Sequence, residues 1–500
     1  MPKPLRFFDA TLTALLLALL ALAGCRGPAP STPSPQPPTP GLAVSPAVRP
    51  TTPQATPITP SPDPTRQPPA SLTVPYTVRN GDTLSGIAAA FGSTVEELLR
   101  LNGLTDADSL AAGQQLRVPI HPRRTGPADK LIPDSELVYG PAFAAFDVAE
   151  ATAGYPGWFN QYAEQVDGRW RSSAEIVQLI AQRYSVGPRL LLALLELRSG
   201  WLTNPDPPPQ ARLYPLGYDR PGWEGLFAQL SWAADALNDG FYGWRRGDLW
   251  TVRLADGEYV RLATSLNAGT VGLQEALRAG VDYAGWTALL APDGFLAVYR
   301  ALFGDPFAYA VEPLLPPDLT QPPLALPWSE GETWYYTGGP HGGWGEGSAR
   351  AAVDFIPPGE GVGCYPSAAW VTAAAPGLVV RSENGEVVVD LDGDGFEGTG
   401  WSLLYMHVGS RDRVAAGTWV QTGDPIGHPS CEGGIATATH VHLARRYNGV
   451  WIPAGRGPLP MVLDGWQVGE GEAAYEGTMR RDGVIKQACQ CREAGNGIRR

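Results

Sequence analysis

Two histidines separated by one residue, His440 and His442, constrain the fold of this 500-residue chain more than any other feature. They lie among β-branched residues, and side chains alternate across a strand, so both imidazoles are expected on one face. The chain has six histidines, and His341 and His407 lie in the same C-terminal third. Imidazoles concentrated in this way predict a metal site.

Length and charge exclude several classes of protein. A chain of 500 residues exceeds what one hydrophobic core supports, so about three folded units are expected. The formal net charge is −13, whereas proteins that bind nucleic acid need a basic surface. We therefore expect a multidomain protein with no nucleic-acid partner.

The N-terminus predicts a secretory signal. Lys3 and Arg6 precede an apolar run at 13–23, which is too short for a membrane span. The run ends in Leu-Ala-Gly before Cys25, which resembles the lipobox of bacterial lipoproteins. The resemblance implies that residues 1–25 are a lipoprotein signal, that Cys25 is lipidated, and that the exported protein is anchored to the cell envelope through a lipid in the membrane. The alternative is an ordinary cleaved signal with an incidental cysteine.

Residues 26–74 contain sixteen prolines with Ser, Thr and Gln. Such a composition cannot bury a core and favours extended polyproline II. At ~3.1 Å per residue, a fully extended segment of this length reaches roughly 150 Å. It is predicted to be a disordered linker.

Residues 75–119 show a β-α-α-β pattern. A Tyr-x-Val strand leads into Gly-Asp-Thr-Leu, Leu-Asn-Gly-Leu joins two short helices, and Gly-Gln-x-Leu-x-Val-Pro closes the segment. These motifs resemble a LysM domain, which binds N-acetylglucosamine-containing glycans such as peptidoglycan. A small stable module without a ligand is the alternative. The resemblance implies glycan contacts at Gly81, Asp82, Thr83, Leu84 and Asn102.

Residues 134–315 are predicted to be mainly helical, with a capping box at residues 172–175 and a helix at about residues 263–277. This region is weakly similar to lysozyme-like lytic transglycosylases, whose catalytic Glu directly precedes a Ser. Here Arg198 precedes Ser199, and the nearest carboxylate, Glu196, is turned by about 200° on a helix. A degenerate glycan-binding or spacer domain is therefore favoured over an active muramidase.

Residues 322–470 read as short strands separated by turns, which predicts a mainly antiparallel β domain. Two imidazoles and one carboxylate form a common ligand set for catalytic zinc, with a fourth position left for water. Two further imidazoles would then be free for proton transfer. The candidate residues are His341, Asp354, His407, His440 and His442.

In their order along the chain, these five residues resemble the M23 (lysostaphin/LytM-like) zinc metallopeptidases. The resemblance implies that His341, Asp354 and His442 bind Zn²⁺. It implies that His440 is the general base or acid, and that His407 assists it and stabilises an oxyanion. Twelve residues separate the first histidine from the aspartate here, where the family usually has three. Closing the longer loop costs only on the order of 1 kcal/mol, so the site is expected to be retained.

Besides Cys25, the chain has four cysteines, an even number suited to disulfides in an exported protein. Three pairings are possible, and we expect Cys364 to join Cys431, since Cys489 and Cys491 are too close in sequence to pair comfortably. Binding of zinc by the four thiols is the competing hypothesis, but their spacing does not match the usual pairs. Residues 471–500 are expected to be a C-terminal extension.

The sequence thus predicts a zinc-dependent endopeptidase that cleaves peptide bonds in bacterial peptidoglycan. The predicted partners are the N-acetylglucosamine glycan, through the LysM module, and the stem peptides. The alternative is a non-catalytic peptidoglycan-binding scaffold or hydrolase activator.

Overall fold

The structure, a computed structural model, describes residues 66–69, 71–359 and 361–500. The predicted signal at 1–25, with Cys25, and most of the proline-rich segment lie outside these residues. Within the described ranges, no helix combines the length and the apolar character required to cross a bilayer.

The N-terminal part has the predicted β-α-α-β order. It consists of β1 (Leu72–Thr77), α1 (Leu84–Phe91), α2 (Val95–Asn102) and β2 (Gln115–Ile120), with β1 and β2 paired antiparallel. The hydroxyls of Thr83 and Thr94 accept hydrogen bonds from the first turns of the two helices. These N-caps satisfy amides that have no partner within the helix. A core of apolar side chains from all four elements closes this small unit.

The middle of the chain is helical, as predicted, with one short two-stranded sheet and one short three-stranded sheet. The predicted capping box forms, because Ser172 and Glu175 exchange hydrogen bonds at the start of the helix Ser173–Tyr184. A helix was predicted from residue 263, but it begins at 268. Asn267 is extended there, because its side chain bonds Ile132 and Asp134 of an earlier segment.

The elements of this helical region are β3 (Arg124–Thr125), α3 (Asp134–Leu137), α4 (Val148–Thr152), β4 (Ala163–Val166), β5 (Arg169–Ser172), α5 (Ser173–Tyr184), α6 (Pro188–Ser199), α7 (Pro209–Leu213), α8 (Leu226–Arg246), β6 (Thr251–Arg253), β7 (Tyr259–Arg261), α9 (Ala268–Leu277), α10 (Tyr283–Leu290) and α11 (Phe295–Phe303).

The C-terminal part is rich in β-structure. The strands are β8 (Thr333–His341), β9 (Ala352–Ile356), β10 (Val371–Thr372), β11 (Gly377–Glu383), β12 (Glu386–Asp390), β13 (Trp401–Met406), β14 (Trp419–Val420), β15 (Pro425–Gly427), β16 (Val441–Tyr447), β17 (Val450–Trp451), β18 (Val462–Leu463), β19 (Trp466–Glu470), β20 (Gly477–Arg481), β21 (Val484–Gln487) and β22 (Gly497–Arg499). A nine-stranded antiparallel sheet has the order β14-β11-β12-β13-β16-β9-β8-β22, with β17 paired to β16, and a second sheet has the order β18-β19-β20-β21.

Residues 471–500 differ from the predicted extension, since they belong to the β-rich part itself. They supply β20, β21 and β22, and β22 pairs with β8 at the edge of the large sheet. Without β22, the edge of β8 would expose unpaired backbone groups. Pairing with that edge holds residues 471–500 against the sheet.

Both faces of the large sheet are buried. Val388, Leu404 and Ala444 pack into the core of the helical region, whereas Val389 and Leu443 pack into a second core on the opposite face. Strands covered on both faces are continuously apolar rather than alternating. The helical region and the sheet therefore share one hydrophobic core.

The expected disulfide between Cys364 and Cys431 is present, with a Cα–Cα distance of 5.8 Å. The expectation that Cys489 and Cys491 would not pair is wrong, since the structure joins them as well. A tight turn, in which the amide of Cys491 donates to the carbonyl of Cys489, brings the two Cα atoms to 5.1 Å. This distance lies within the usual range for a disulfide.

A buried network of charges joins the helical region to the sheet. Arg183 on α5 lies 2.6 Å from Glu386 on β12, which also pairs with Arg381. Arg381 and Arg446 share Glu397, at 3.2 and 2.5 Å. All five side chains are buried. Removing one member of such a network leaves the others charged and uncompensated.

We predict that Glu386→Gln lowers the free energy of unfolding by about 3 to 5 kcal/mol, because Arg183 and Arg381 lose a shared buried counter-ion. Urea denaturation followed by circular dichroism measures the change. Glu258→Gln is the control, since its pair with Arg124 is partly exposed and worth less than about 1 kcal/mol. Equal effects of the two substitutions would contradict the prediction.

Candidate metal centre

Three neighbouring strands bring the predicted ligands together. Asp354 on β9 lies opposite Gly338 of β8 on one side and opposite His442 of β16 on the other. His341 ends β8 and pairs with Ala352. The long segment between His341 and Asp354 forms the connection of an antiparallel pair, which returns the carboxylate to the first histidine.

The three candidate ligand atoms lie at spacings suited to one metal ion. His341 Nε2 and His442 Nδ1 are 2.9 Å apart, and Asp354 Oδ1 is 3.2 and 3.3 Å from them. A tetrahedral zinc with bonds of about 2.0 to 2.1 Å places its ligands roughly 3.3 Å from one another. All three side chains are buried.

Hydrogen bonds to carbonyl groups set the tautomers of both histidines. His341 Nδ1 donates to the carbonyl of Gly339 at 2.8 Å, and His442 Nε2 donates to that of Gly343 at 3.2 Å. The two facing nitrogens are therefore unprotonated, and the buried Asp354 Oδ1 has no hydrogen-bond donor. Three lone pairs directed at one point can hold a cation, and two imidazoles with one carboxylate suit zinc.

The electrostatics of the cluster also favour a cation. Burial alone would raise the pKa of Asp354, but the surrounding imidazoles, His341 first, hold it well below its ordinary value. The carboxylate in turn raises the pKa of His341 against the effect of burial. Burial lowers the pKa of His442. Asp354 is thus ionised, and it stabilises positive charge where the two nitrogens meet.

His440 and His407 lie beside this cluster, as the sequence predicts. His440 Nδ1 donates to the carbonyl of Ala438 at 2.7 Å, and its Nε2 lies 3.8 Å from Asp354 Oδ1. The rings of His407 and His440 have centroids 4.3 Å apart. Burial and the neighbouring imidazoles lower the pKa of His407 to about 3, so this ring is neutral at neutral pH.

The backbone of His407 adopts a left-handed conformation, with φ of 62°, which is uncommon for a residue other than glycine. Its carbonyl accepts hydrogen bonds from both the amide and the hydroxyl of Ser430. Its Nδ1 donates to the carbonyl of Glu432 at 3.1 Å, which leaves Nε2 as an acceptor. Surrounding contacts thus hold the ring in one orientation.

Tyr475 is a neighbour of the cluster that the sequence did not indicate. Its ring stacks on His341 with centroids 4.2 Å apart, and its carbonyl accepts from the amide of Gly339. The side chain is 54% exposed, so it lies between the buried cluster and solvent. It belongs to residues 471–500, and no motif in that segment distinguishes it.

The residues predicted to contact glycan have mostly structural hydrogen bonds. Asp82 accepts from the amide of Arg79 and the hydroxyl of Tyr76, and Thr83 caps α1. Leu84 is buried. The side chain of Asn102 bonds the backbone of Leu98 and Arg117 on β2. Gly81 is exposed, with φ of 89°.

Glu196 of the helical region is bound locally. Its carboxylate accepts hydrogen bonds from the amides of Leu202 and Thr203 and from the hydroxyl of Thr203, just beyond the end of α6. These bonds commit the carboxylate to a local loop, whereas a glycosidic general acid must be placed against the substrate. The acidic turn at residues 390–395 connects β12 to β13, with backbone amides donating to Asp390, Asp392 and Asp394.

Two family models match the chain. The LysM domain matches residues 76–119, and the model described as LasA, N-terminal domain, matches residues 130–317. The helical region therefore resembles the N-terminal domain of LasA.

Individual relatives agree with these matches. The chain is 28% identical to protease LasA of Pseudomonas aeruginosa over 338 residues, which cover 62% of this chain and 74% of that protein. It is 51% identical over 43 residues to N-acetylmuramoyl-L-alanine amidase sle1 of Staphylococcus saprophyticus, covering 9% and 13%. The solved structure of the M23 metalloprotease pseudoalterin, from the deep sea, aligns with 37% of this chain and 99% of its own at 24% identity, with a TM-score of 0.29. The resemblance to an M23 peptidase that carries a LysM module is confirmed.

We predict that Gly338→Ala weakens metal binding about tenfold or more, because its Cβ would lie 2.5 Å from Asp354 Oδ2 and displace the carboxylate. Titration with zinc against a chromogenic chelator measures the affinity. Gly495→Ala is the control, since a Cβ there meets open space. Unchanged affinity in the first variant would show that Asp354 tolerates displacement or does not bind the metal.

Proposed function

We propose that this protein is a zinc-dependent endopeptidase that hydrolyses peptide bonds of bacterial peptidoglycan, and that its LysM-like part retains it on the glycan. One observation carries the proposal. Two unprotonated imidazole nitrogens and an ionised carboxylate oxygen converge at one buried point, with a further histidine 3.8 Å from that oxygen. This arrangement suits a catalytic metal with a proton acceptor beside it.

The comparisons support both parts of the proposal. Protease LasA, whose name states its activity, aligns with 62% of the chain. The LysM-like part matches segments of amidases that act on N-acetylmuramoyl-L-alanine bonds, which are bonds of peptidoglycan. A protease-like chain with such a module is expected to find its substrate in the cell wall.

Within this proposal, His341, Asp354 and His442 hold the zinc. The bound ion supplies Lewis acidity, which polarises a carbonyl group and makes water a stronger acid. The three ligands are fixed by carbonyl contacts and by strand pairing, so little reorganisation is needed when the ion binds.

His440 is the residue we assign to proton transfer. Its Nδ1 proton is bound to the carbonyl of Ala438, so Nε2 offers a lone pair toward the metal ligands. This nitrogen takes a proton from the attacking water and delivers it to the leaving amine. His407 is a poor proton store because its pKa is about 3. Its Nε2 accepts a hydrogen bond and orients the water, and it would need protonation before it stabilised an oxyanion.

Wall retention rests on the LysM-like part and the N-terminus. Since the side chains of Asp82, Thr83 and Asn102 are already hydrogen-bonded, we propose that the sugar meets the exposed backbone at Gly81 and the surfaces of these side chains. Lipidation of Cys25 would anchor the exported chain to the envelope, because two or more acyl chains bind a bilayer stably.

The products of a peptidoglycan digest test the proposal. We predict that the zinc-loaded protein releases new amino termini and no new reducing sugars, and that Glu196→Gln leaves the rate unchanged because Glu196 only bonds a local loop. Dinitrophenylation and mass spectrometry identify the bond that is cut. A protein that binds peptidoglycan but releases neither product would instead support the non-catalytic scaffold.

Single substitutions separate the two roles of the histidine pair. We predict that His440→Ala keeps zinc but lowers turnover by roughly 10²- to 10⁴-fold, as expected for loss of a general base. His442→Ala should lose both zinc and activity, since it removes a metal ligand. Zinc content by mass spectrometry and the rate of amine release are measured on the same samples. The opposite pattern would reverse the two assignments.

A further inference from the structure

The segment between β8 and β9, residues 342–351, is called here the metal loop. It contains four glycines, at 342, 343, 345 and 347. None of the four has space for a side chain. A Cβ on Gly342 would meet the carbonyl of Gly345 in the loop itself, and the other three glycines lie against the helical region or β17. A Cβ on Gly343 would lie 2.6 Å from the ring of Trp451, and one on Gly347 would lie 2.1 Å from the carbonyl of Asp235. One on Gly345 would lie 2.4 Å from Asp235 Oδ1.

Asp235 lies on α8 of the helical region and binds the outer part of the metal loop. The amide of Gly347 donates to its Oδ1 at 2.8 Å. The carboxylate is partly buried beneath the loop. A hydrogen bond to a charged acceptor is roughly twice as strong as one between neutral groups. This contact therefore fixes the loop on the helix.

The inner part of the metal loop forms a hydrogen bond with one of the proposed metal ligands, His442. The carbonyl of Gly343, four residues before Gly347, accepts the hydrogen bond from His442 Nε2 at 3.2 Å. This contact keeps the proton on Nε2, and so leaves Nδ1 free to bind the metal. The orientation of His442 therefore depends on the position of the loop.

Trp451 and Trp344 also hold the metal loop in place through contacts with the helical region. Trp451, against which Gly343 packs, donates its amide to the hydroxyl of Tyr242 at 2.9 Å and its indole N–H to the carbonyl of Tyr184 at 3.3 Å. Trp344 in the loop lies near Tyr184 and Arg183, with a ring-centroid distance of 6.3 Å and a guanidinium distance of 5.1 Å. Contacts from α5 and α8 thus enclose the loop.

We propose that Asp235 is a positioning residue for the metal centre, which acts from the helical region by holding the metal loop so that Gly343 orients His442. The inference rests on the proposed zinc site but goes beyond it, because it assigns the helical region a direct role in metal binding. It predicts that metal affinity depends on a carboxylate in another part of the chain that does not contact the ion.

Variants at Asp235 test the proposal in the full chain. Asp235→Ala should weaken zinc binding by roughly three- to tenfold, which is somewhat less than the loss expected when a group bonded directly to a metal ligand is removed. It should also alter the visible spectrum of the cobalt-substituted protein. Asp235→Asn should stay close to the wild type, since its Oδ1 still accepts from Gly347. Asp239→Ala is the matched control. Asp239 is one turn further along α8, is exposed, and faces Arg246 and Arg278.

Hydrogen exchange of the unmodified protein gives a second test that needs no variant. Zinc binding should slow exchange in peptides that span residues 342–349 and 232–240, because the loop couples His442 to α8. Protection confined to the strands around the ligands would overturn the proposal, even if Asp235→Ala failed to fold.

The outcomes distinguish this proposal from the one on which it rests. A wild-type protein that binds no zinc would refute the metal site itself. A wild-type protein that binds zinc, together with an Asp235→Ala variant of equal affinity and an unchanged cobalt spectrum, would refute only the role of Asp235. An equal loss in Asp239→Ala would show that the charge of α8, rather than the hydrogen bond to Gly347, is responsible.

Discussion

The pairing of β9 with β8 on one side and β16 on the other is the constraint on which the site depends. Asp354 and His442 share the sheet face that points toward the helical region, whereas Val353 and Leu443 point into the opposite core. A slip of one residue would exchange these faces, burying the carboxylate among apolar side chains. Apolar packing on both faces therefore fixes the register that brings the ligands together.

The helical region belongs to the same structural unit as the sheet, and this follows from its contacts. It shares a core with the sheet, supplies Arg183 to the buried charge network, and encloses the metal loop. Glu196, the carboxylate nearest to the position of a transglycosylase's catalytic Glu, bonds a local turn. Support for the site, rather than chemistry of its own, is the role that its geometry favours.

Much of the site could be predicted from the sequence, because it consists of histidine, aspartate and cysteine residues whose types and order along the chain indicate metal binding and disulfide formation. The five candidate residues come together as expected, and so do Cys364 and Cys431. What could not be predicted depends on tertiary contacts. Tyr475 lies in a segment without a motif, and the course of the metal loop is set by Asp235 and Trp451, which are distant in sequence. The late start of α9 likewise follows from bonds between Asn267 and an earlier segment.

The strand order has a consequence for the sequence of events during folding. His341 and His442 are 101 residues apart, and β8 pairs both with β9 and with β22, which lies more than 150 residues further along the chain. Contacts of such long range form slowly, because the entropy of closing the intervening chain must be overcome first. A nascent or partly folded chain therefore lacks the site. The ligands meet only when the sheet is nearly complete, so ion capture, and any activity that requires it, comes late in folding.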